Sequence, residues 1–233
     1  MKRLIRSIRI DKDSYETILI SWCICAVLIW LTAHFIHSLW ISIPLSTAFV
    51  VFMFFITWFF RVPDRTVPDY QNDRLVTSVA DGKVVIVEKV FEKEYLRRDC
   101  IQISVYMDFF DVHCNFWPVN GKVTYYKYHP GKYLLAFHPK SSELNEHSSS
   151  CLENRYGEVF FKQIAGTFAR RIVCYSEPGN VENRGDQCGV IKFGSRIDMF
   201  VPLDADIKVK VGDKVRAVES ILAELPRKAD DPQ

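Results

Sequence analysis

Residues 17 to 60 read TILISWCICAVLIWLTAHFIHSLWISIPLSTAFVVFMFFITWFF, and this stretch decides how the chain is organised. It contains no Asp, Glu, Lys or Arg, and it is about twice as long as the roughly 20 residues that one membrane-spanning helix needs. A break from His34 to Ser38 and near Pro44 divides it into segments of about 17–36 and 39–60. The sequence therefore predicts a transmembrane hairpin of two helices.

Basic residues stand on both sides of this hairpin. Five precede it and two follow it: Lys2, Arg3, Arg6, Arg9, Lys12, Arg61 and Arg65. The positive-inside rule therefore predicts that both ends of the hairpin are cytoplasmic, and we expect Arg61 and Arg65 to lie among lipid headgroups. A cleaved signal peptide fits poorly, because the apolar stretch is too long. We predict a protein of the cytoplasmic (inner) membrane with its soluble part on the cytoplasmic side.

Charge and cysteine content exclude several classes of protein. A formal net charge of +2 over 233 residues is too small to indicate a nucleic-acid partner. The seven cysteines are scattered and contain no C-x-x-C pair, which argues against a disulfide framework and against structural zinc. We interpret them as small apolar side chains in a reducing compartment.

The remainder of the chain is rich in short runs of β-forming residues separated by turn residues. The clearest runs are residues 82–87, 100–106, 121–126, 158–161, 171–175 and 206–211. These runs predict a mainly β domain with antiparallel sheets and at most short helices near residues 163–170. The polar stretches 140–154 and 177–187 are predicted to be loops.

The segment from Val211 to Ala223 predicts a tight turn between two strands, as in biotinyl- and lipoyl-carrier modules. The C-terminal part is therefore expected to resemble a barrel-sandwich, and a membrane-anchored binding or adaptor module without catalysis is one open alternative. A carrier needs a lysine displayed at a hairpin tip, and a Met-Lys pair occurs only at Met1-Lys2. This argues against a carrier function.

These observations divide the chain into four parts. They are a basic N-terminus (1–16), the transmembrane hairpin (17–60), a soluble domain (61–226) and a short tail (227–233).

The peptide bond between Gly194 and Ser195 is framed by strand-like residues, from Ile191 to Asp198. Glycine tolerates strained backbone conformations, and the serine hydroxyl beside it is a nucleophile. Attack of Ser195 Oγ on the Gly194 carbonyl, followed by β-elimination and hydrolysis, would cut the chain and leave a pyruvoyl group at position 195. Such a ketone is an electrophile that could act as an electron sink. A Gly-Ser pair alone more often marks a turn.

Eight motifs occur in the order found in one enzyme family. They are Phe59-Phe60-Arg61-Val62-Pro63-Asp64-Arg65, Ala80-Asp81-Gly82-Lys83-Val84, Asp111-Val112-His113, Pro118-Val119-Asn120-Gly121-Lys122-Val123, Asn145-Glu146, Gln163-Ile164-Ala165-Gly166, Ala169-Arg170-Arg171-Ile172 and Phe193-Gly194-Ser195-Arg196. Over about residues 55–225 the chain resembles the short form of phosphatidylserine decarboxylase. The resemblance implies a self-processed, pyruvoyl-dependent enzyme that converts phosphatidylserine in the membrane to phosphatidylethanolamine. It also implies that the large and small chains associate as a heterodimer, which could assemble further.

The same resemblance implies roles for individual residues. Ser195 carries the pyruvoyl group, and Gly194 becomes the C-terminus of the large chain. Asp81 resembles the acidic residue that assists self-cleavage, although an aspartate before a strand is also common in Asx-turns. His113 is the candidate for proton transfer during decarboxylation, and a buried structural histidine is the alternative.

Two positions depart from the family pattern. Val79 stands where the family usually has Pro before Ala-Asp-Gly, and Phe116 stands where long forms carry a second histidine. The division of roles between His113 and Asp81 therefore stays open.

Arg196, Arg170 and Arg171 are candidates for binding the substrate phosphate, because guanidinium groups pair with oxyanions. A solvated or ion-paired β surface is the alternative for at least one of the adjacent pair. His138 and His147 lie on either side of Asn145-Glu146, but their spacing matches no particular metal site, and we expect no metal.

Overall fold

A computed structural model describes residues 9–132, 145–166, 172–191 and 195–228. The chain divides after Asp64 into two compact units, which are described separately below.

The first unit contains two long apolar helices. A 3-10 turn at Lys12–Ser14 leads into α1 (Tyr15–Phe35), and α2 spans Leu39–Phe59. Each helix is long and apolar enough to cross a membrane, and their bounds agree with the predicted segments. Pro44 lies inside α2, so the chain leaves the helical conformation only at residues 36–38.

The two helices contact one another as a hairpin. The indole Nε1 of Trp22 in α1 donates to the backbone oxygen of Met53 over 3.3 Å and to Oγ1 of Thr57 over 3.2 Å. Strand β1 (Arg9–Ile10) before α1 pairs antiparallel with β2 (Arg61–Val62) after α2. Both flanks of the pair therefore lie at the same end of the hairpin.

The second unit is built from strands. In chain order they are β3 (Leu75–Thr77), β4 (Gly82–Glu92), β5 (Arg98–Met107), β6 (Cys114–Phe116), β7 (Gly121–His129), β8 (His147–Asn154), β9 (Gly157–Ala165), β10 (Ile172–Cys174), β11 (Val181–Glu182), β12 (Gln187–Ile191), β13 (Ser195–Pro202), β14 (Asp206–Ile207), β15 (Lys214–Val215) and β16 (Ile221–Glu224).

These strands form one large antiparallel sheet and two small ones. The large sheet has the order β11-β7-β8-β9-β13-β5-β4-β15 and curves as a half-barrel. The small sheets have the orders β10-β12-β6 and β14-β16-β3, and their pairs are antiparallel too. The predicted mainly β, antiparallel fold behind a helical hairpin is confirmed.

The large sheet has two different faces, because successive side chains of a strand point to opposite sides. In β13, Ile197, Met199 and Val201 belong to the main apolar core. Arg196 and Asp198 alternate with them and therefore point to the other face. Ser195 has the same parity as Ile197, so its side chain belongs to the core face.

The predicted loop at 140–154 is wrong for its second half, because β8 occupies His147–Asn154. The run Ser148-Ser149-Ser150 looks like loop sequence, yet all three side chains are buried and hydrogen-bonded to neighbouring groups. The short helix allowed near 163–170 is wrong for Gln163–Ala165, which continue β9; residues 167–171 lie outside the described residues.

The C-terminal part is assembled by pairing with distant strands. β16 pairs with β3 and β14, whereas β15 pairs with β4, so the predicted turn near Gly212 joins strands of different sheets. Gly212 has φ +101°, a left-handed conformation that favours glycine at this turn.

Candidate active site

Ser195 is the first residue of β13, which is an inner strand of the large sheet. Its register partners are Met107 at the end of β5 and Ala165 at the end of β9. The Ser195 side chain is completely buried, and its Oγ donates to Met107 Sδ over 3.1 Å. Gly194, the other half of the predicted cleavage site, lies outside the described residues.

The Asn145-Glu146 motif holds the strand next to Ser195. Asn145 Nδ2 donates to the Ala165 backbone oxygen over 2.7 Å, and the Ala165 amide donates to the Glu146 oxygen over 2.9 Å. Both motif residues are buried. The motif therefore fixes the position of Ala165, which lies directly beside Ser195 in the sheet.

His113 is buried just before β6 and is tied to the chain that leads to Ser195. The Ile191 amide donates to the His113 backbone oxygen over 3.1 Å, and Ile191 is the last described residue before position 195. The ring Nδ1 of His113 lies 2.9 Å from the backbone oxygen of Asp111. Because a carbonyl only accepts, Nδ1 carries the proton of the neutral ring, and Nε2 has the lone pair that can accept another.

Asp81 holds two distant parts of the second unit together. Its two carboxylate oxygens accept from Nη1 and Nη2 of Arg65, the second over 2.7 Å, and Oδ1 also accepts from the Ala217 amide over 2.8 Å. The Arg65 side chain is only 3% exposed. The expectation that Arg65 lies among lipid headgroups is therefore wrong, because a buried guanidinium needs an anionic partner and Asp81 provides it.

Asp81 and Ser195 lie at the same end of the large sheet. Strand β5 separates β13 from β4, and Lys83 is paired with Tyr106, the residue before Met107. Two strand spacings amount to roughly 10 Å between the Asp81 and Ser195 backbones. Ser195 and Asp81 therefore lie at one end of the large sheet, and His113 lies in the link between the end of β5 and β6.

A buried polar chain near Ser195 was missed by sequence reasoning. Ser148 Oγ donates to Gln163 Oε1 over 2.7 Å, and Gln163 Nε2 donates to Asn115 Oδ1 over 2.8 Å. Asn115 Nδ2 lies 4.0 Å from Met107 Sδ, the atom that also accepts from Ser195. Asn115, a polar residue between two apolar ones in the short strand β6, was the available signal, since buried polar groups are hydrogen-bonded.

Arg196 is placed differently from what its proposed phosphate role requires. It is 2% exposed and forms a two-point ion pair with Asp198, with distances of 2.8 and 2.9 Å. Its side chain points to the sheet face opposite Ser195. This arrangement favours a structural role, and phosphate binding by Arg196 stays a prediction. Arg170 and Arg171 lie outside the described residues.

A second polar cluster lies on the sheet face opposite Ser195 and consists of Glu94, His129 and His147. One ligand atom from each residue lies within 4.8 Å of the others. The cluster lines a cavity of about 700 Å³ with Lys162 and Asp198. Glu94 is in the turn after β4, while the histidines are at the end of β7 and the start of β8, so their sequence spacing gave no signal. His138 lies outside the described residues.

The charge state of this cluster follows from its neighbours. Burial raises the pKa of Glu94, but the hydrogen bond and charge of Lys162, with hydrogen bonds from His129 and Ser149, outweigh burial and lower the pKa to about 2. Burial lowers the pKa of His147, against a hydrogen bond to Asn145 that raises it. At neutral pH the cluster therefore holds a carboxylate and a neutral His147.

Comparison with known proteins gives one consistent result. The profile of the family described as Phosphatidylserine decarboxylase matches residues 52–223. A phosphatidylserine decarboxylase proenzyme of Amoebophilus asiaticus is 46% identical over 177 residues, which are 76% of this chain and 78% of the relative.

Two further relatives carry the same name. The proenzyme of Cytophaga hutchinsonii is 44% identical over 71% of this chain and 75% of its own length, and that of Syntrophus aciditrophicus is 41% identical over 82% and 88%. The motifs around Asp81, His113 and Ser195 all lie inside the matched region. The chain therefore belongs to the phosphatidylserine decarboxylase family and is a decarboxylase.

Proposed function

We propose that this chain is a membrane-attached proenzyme that cleaves itself between Gly194 and Ser195 and then converts phosphatidylserine to phosphatidylethanolamine. The observation that carries the proposal is a completely buried serine at the start of a central strand, within a chain whose relatives are named proenzymes. The reaction takes place at the cytoplasmic face of the inner membrane in this proposal. The two apolar helices support membrane attachment.

Self-cleavage needs only groups of this chain and water. Ser195 Oγ forms a bond to the Gly194 carbonyl carbon while the peptide C–N bond breaks, and the hydroxyl proton moves to the nitrogen of residue 195. Water then takes the Cα proton of residue 195, which finally leaves with the ammonia as ammonium, while the Cβ–Oγ bond breaks and the Gly194 carboxylate is released. Addition of water and loss of ammonia leave the pyruvoyl group on residue 195.

The surroundings of Ser195 suit this chemistry. A buried hydroxyl is shielded from water, so the ester is protected from simple hydrolysis before elimination. Met107 and Ala165 fix the residue on both sides through strand pairing. A nucleophile held in this way can reach effective molarities of about 10⁵ to 10⁸ M. Both chains produced by the cut belong to the same sheet, which supports a stable heterodimer of residues 1–194 and 195–233.

A pyruvoyl group fits position 195 because it is made from the serine already there and needs no separate binding pocket. Its ketone supplies the electrophile for the substrate amine and the sink for the electron pair left when CO2 departs. His113 Nε2 takes a proton from the substrate ammonium and returns it to the carbon that has lost CO2. The contact of Nδ1 with the Asp111 oxygen fixes the orientation of the ring for this transfer.

Asp81 acts in this proposal as a positioning residue. It pairs with Arg65 and with the Ala217 amide, and so it holds the start of β4 beside the end of β5 that carries Met107. Strand pairing transmits this position to Ser195. Membership of a decarboxylase family argues against the non-catalytic adaptor module that the sequence alone left open.

The test is the intact mass of the purified protein under denaturing conditions. Wild-type protein is expected to give two chains divided after Gly194, and Ser195→Ala a single chain, because no hydroxyl is left to attack. Ser150→Ala is the matched control: Ser150 is also buried in a strand, but its hydroxyl bonds to Ser176. Cleavage of the Ser195→Ala variant at this bond would refute the mechanism.

The substrate is tested on the cleaved protein. Incubation with phosphatidylserine vesicles and a borohydride reductant is expected to attach the lipid to the 195–233 fragment and to release CO2 without reductant. Free serine decarboxylated as fast as phosphatidylserine would overturn the lipid substrate while leaving self-cleavage intact.

A further inference from the structure

The cluster of Glu94, His129 and His147 combines the donor types of a transition-metal site. His129 and His147 are register partners of β7 and β8, and their rings stack with centroids 4.3 Å apart. Glu94 reaches the same point from the turn between β4 and β5, with Oε1 2.7 Å from His129 Nε2. Three segments far apart in sequence therefore present two imidazoles and one carboxylate to a single point.

The hydrogen bonds of the cluster orient its donor atoms. His147 Nδ1 lies 2.7 Å from the Asn145 backbone oxygen, so it carries the ring proton and leaves the lone pair on Nε2. A backbone carbonyl that fixes the other ring nitrogen is the usual support of a metal-binding histidine. Tyr125 Oη donates to Glu94 Oε1 over 3.2 Å and helps to fix the carboxylate.

Lys162 is the competing cation, and its position leaves room for an ion. Its Nζ lies 2.6 Å from Glu94 Oε2, where Ser149 Oγ also donates over 3.1 Å. The other oxygen, Oε1, faces His129. Lys162 Nζ also lies 3.8 Å from the carboxylate of Glu92. The positive charge of Lys162 therefore stays balanced when the Glu94 carboxylate also binds a metal ion.

The distances suit a small divalent ion after modest side-chain rotation. The three ligand atoms lie within 4.8 Å of one another, whereas ligands of a tetrahedral zinc ion stand about 3.3 Å apart. On binding, the His129 Nε2 proton moves through solvent to Nδ1, and Nε2 becomes a ligand. The adjoining cavity of about 700 Å³ provides space for water in the remaining coordination position.

We propose that Glu94, His129 and His147 bind one divalent transition-metal ion, with Zn²⁺ as the expected ion. Two imidazoles and a carboxylate with an open position are a donor set that zinc accepts readily. The site lies on the sheet face opposite the Ser195 side chain, so it is separate from the decarboxylation site. It would link the ends of β7 and β8 to the turn after β4.

The experiment uses the full-length protein in detergent, stripped with a chelator and titrated with Zn²⁺ by calorimetry. We expect one ion per protein molecule, counting the two fragments together, and a dissociation constant raised at least roughly tenfold by His147→Ala or Glu94→Gln. His37→Ala, in the link between the helices, is the matched control and should bind as wild type. Lys162→Met should bind more tightly, because it removes a positive charge beside the carboxylate.

Cobalt provides a second readout that identifies the ligands. Co²⁺ absorption in wild-type protein should have no thiolate charge-transfer band, since the proposed site contains no cysteine. Near-UV circular dichroism checks that each variant is folded, and His129→Gln gives the same test if His147→Ala unfolds. Absence of Zn²⁺ binding, binding unaffected by these variants, or a thiolate band would each overturn the proposal and leave the cluster as an ion-pair network.

Discussion

Ser195 and Met107 face one another across β13 and β5, and the serine hydroxyl donates to the methionine sulfur over 3.1 Å. This contact holds the proposed nucleophile in one orientation within a buried site. Met107→Leu keeps the volume and removes the acceptor, at a stability cost below about 1.5 kcal/mol. We expect self-cleavage to become roughly fivefold slower, as for the loss of one hydrogen bond.

The rate can be followed by intact mass during in vitro synthesis of the protein. Met199→Leu, in the core face of β13, is the matched control and should cleave at the wild-type rate. Faster cleavage of Met107→Leu would mean that the sulfur holds the hydroxyl in a resting orientation.

His113→Ala is expected to slow decarboxylation by roughly 10² to 10⁴ in molecules that have already been cleaved, because it removes the group that moves the proton. The variant's processing must be measured first, since Phe116 leaves no second histidine in that motif to assist self-cleavage. The turnover number of the cleaved fraction is compared with that of His37→Ala. Full activity of cleaved His113→Ala would exclude the residue from the mechanism.

Asp81→Asn should destabilise the second unit by about 3 to 5 kcal/mol, because it leaves the buried Arg65 guanidinium without a counter-charge. The measurement is the denaturant midpoint of unfolding. Asp99→Asn breaks the exposed pair of Asp99 with Lys89 and should cost under about 1 kcal/mol. Equal effects of the two variants would contradict the buried ion pair.

The double replacement Arg65→Met with Asp81→Leu separates positioning from chemistry. Removing both charges restores much of the lost stability, since no unpaired ion remains. If Asp81 only positions β4, the stable double variant cleaves itself. A folded double variant that stays intact would instead assign Asp81 a direct part in self-cleavage.

Glu94 is expected to make the protein acid-sensitive. Its pKa is about 2 in the fold against 4.5 ordinarily, so its contribution is fully present above about pH 4.5 and is lost as the pH falls towards 2. Solvent in the cavity screens the charges around Glu94, so its ionised form adds about 2 kcal/mol to the free energy of unfolding. With chelator present, Glu94→Gln should flatten the dependence of unfolding free energy on pH over this range. An unchanged dependence would contradict this assignment.

The hairpin predicts on which side of the membrane the link between α1 and α2 lies. Reporter fusions at residue 40 and at residue 233 should report opposite sides of the membrane, because the two flanks of the hairpin lie at the same end. Matching readouts from the two fusions would exclude the hairpin.

Local sequence was sufficient wherever a segment's structure depends on its own composition. The uncharged run from residue 17 to 60 predicted both helices, since a charged side chain in the bilayer is costly. Runs of β-branched residues predicted most long strands, because such side chains fit the pleated surface of a sheet. They failed at β8, where Ser148 to Ser150 form a strand only because neighbouring strands supply buried hydrogen-bond partners.

The motifs of the decarboxylase family predicted Ser195, His113 and Asp81 as site residues without any knowledge of their spacing in the fold. Their contacts depended on strand register, which pairs residues far apart in the chain. Register placed Met107 beside Ser195 and turned Arg196 to the opposite face towards Asp198. The packing of the segment before β3 buried Arg65 against Asp81.

The sequence by itself determined the helical hairpin, the β class and the Gly194-Ser195 pair, because helix insertion, strand propensity and a neighbouring nucleophile are properties of adjacent residues. Only the tertiary structure decided that Glu94, His129 and His147 meet in one cluster. Their convergence requires the pairing of β7 with β8 and the path of the turn after β4. Such contacts arise from the packing of the whole sheet, so no spacing within the chain encodes them.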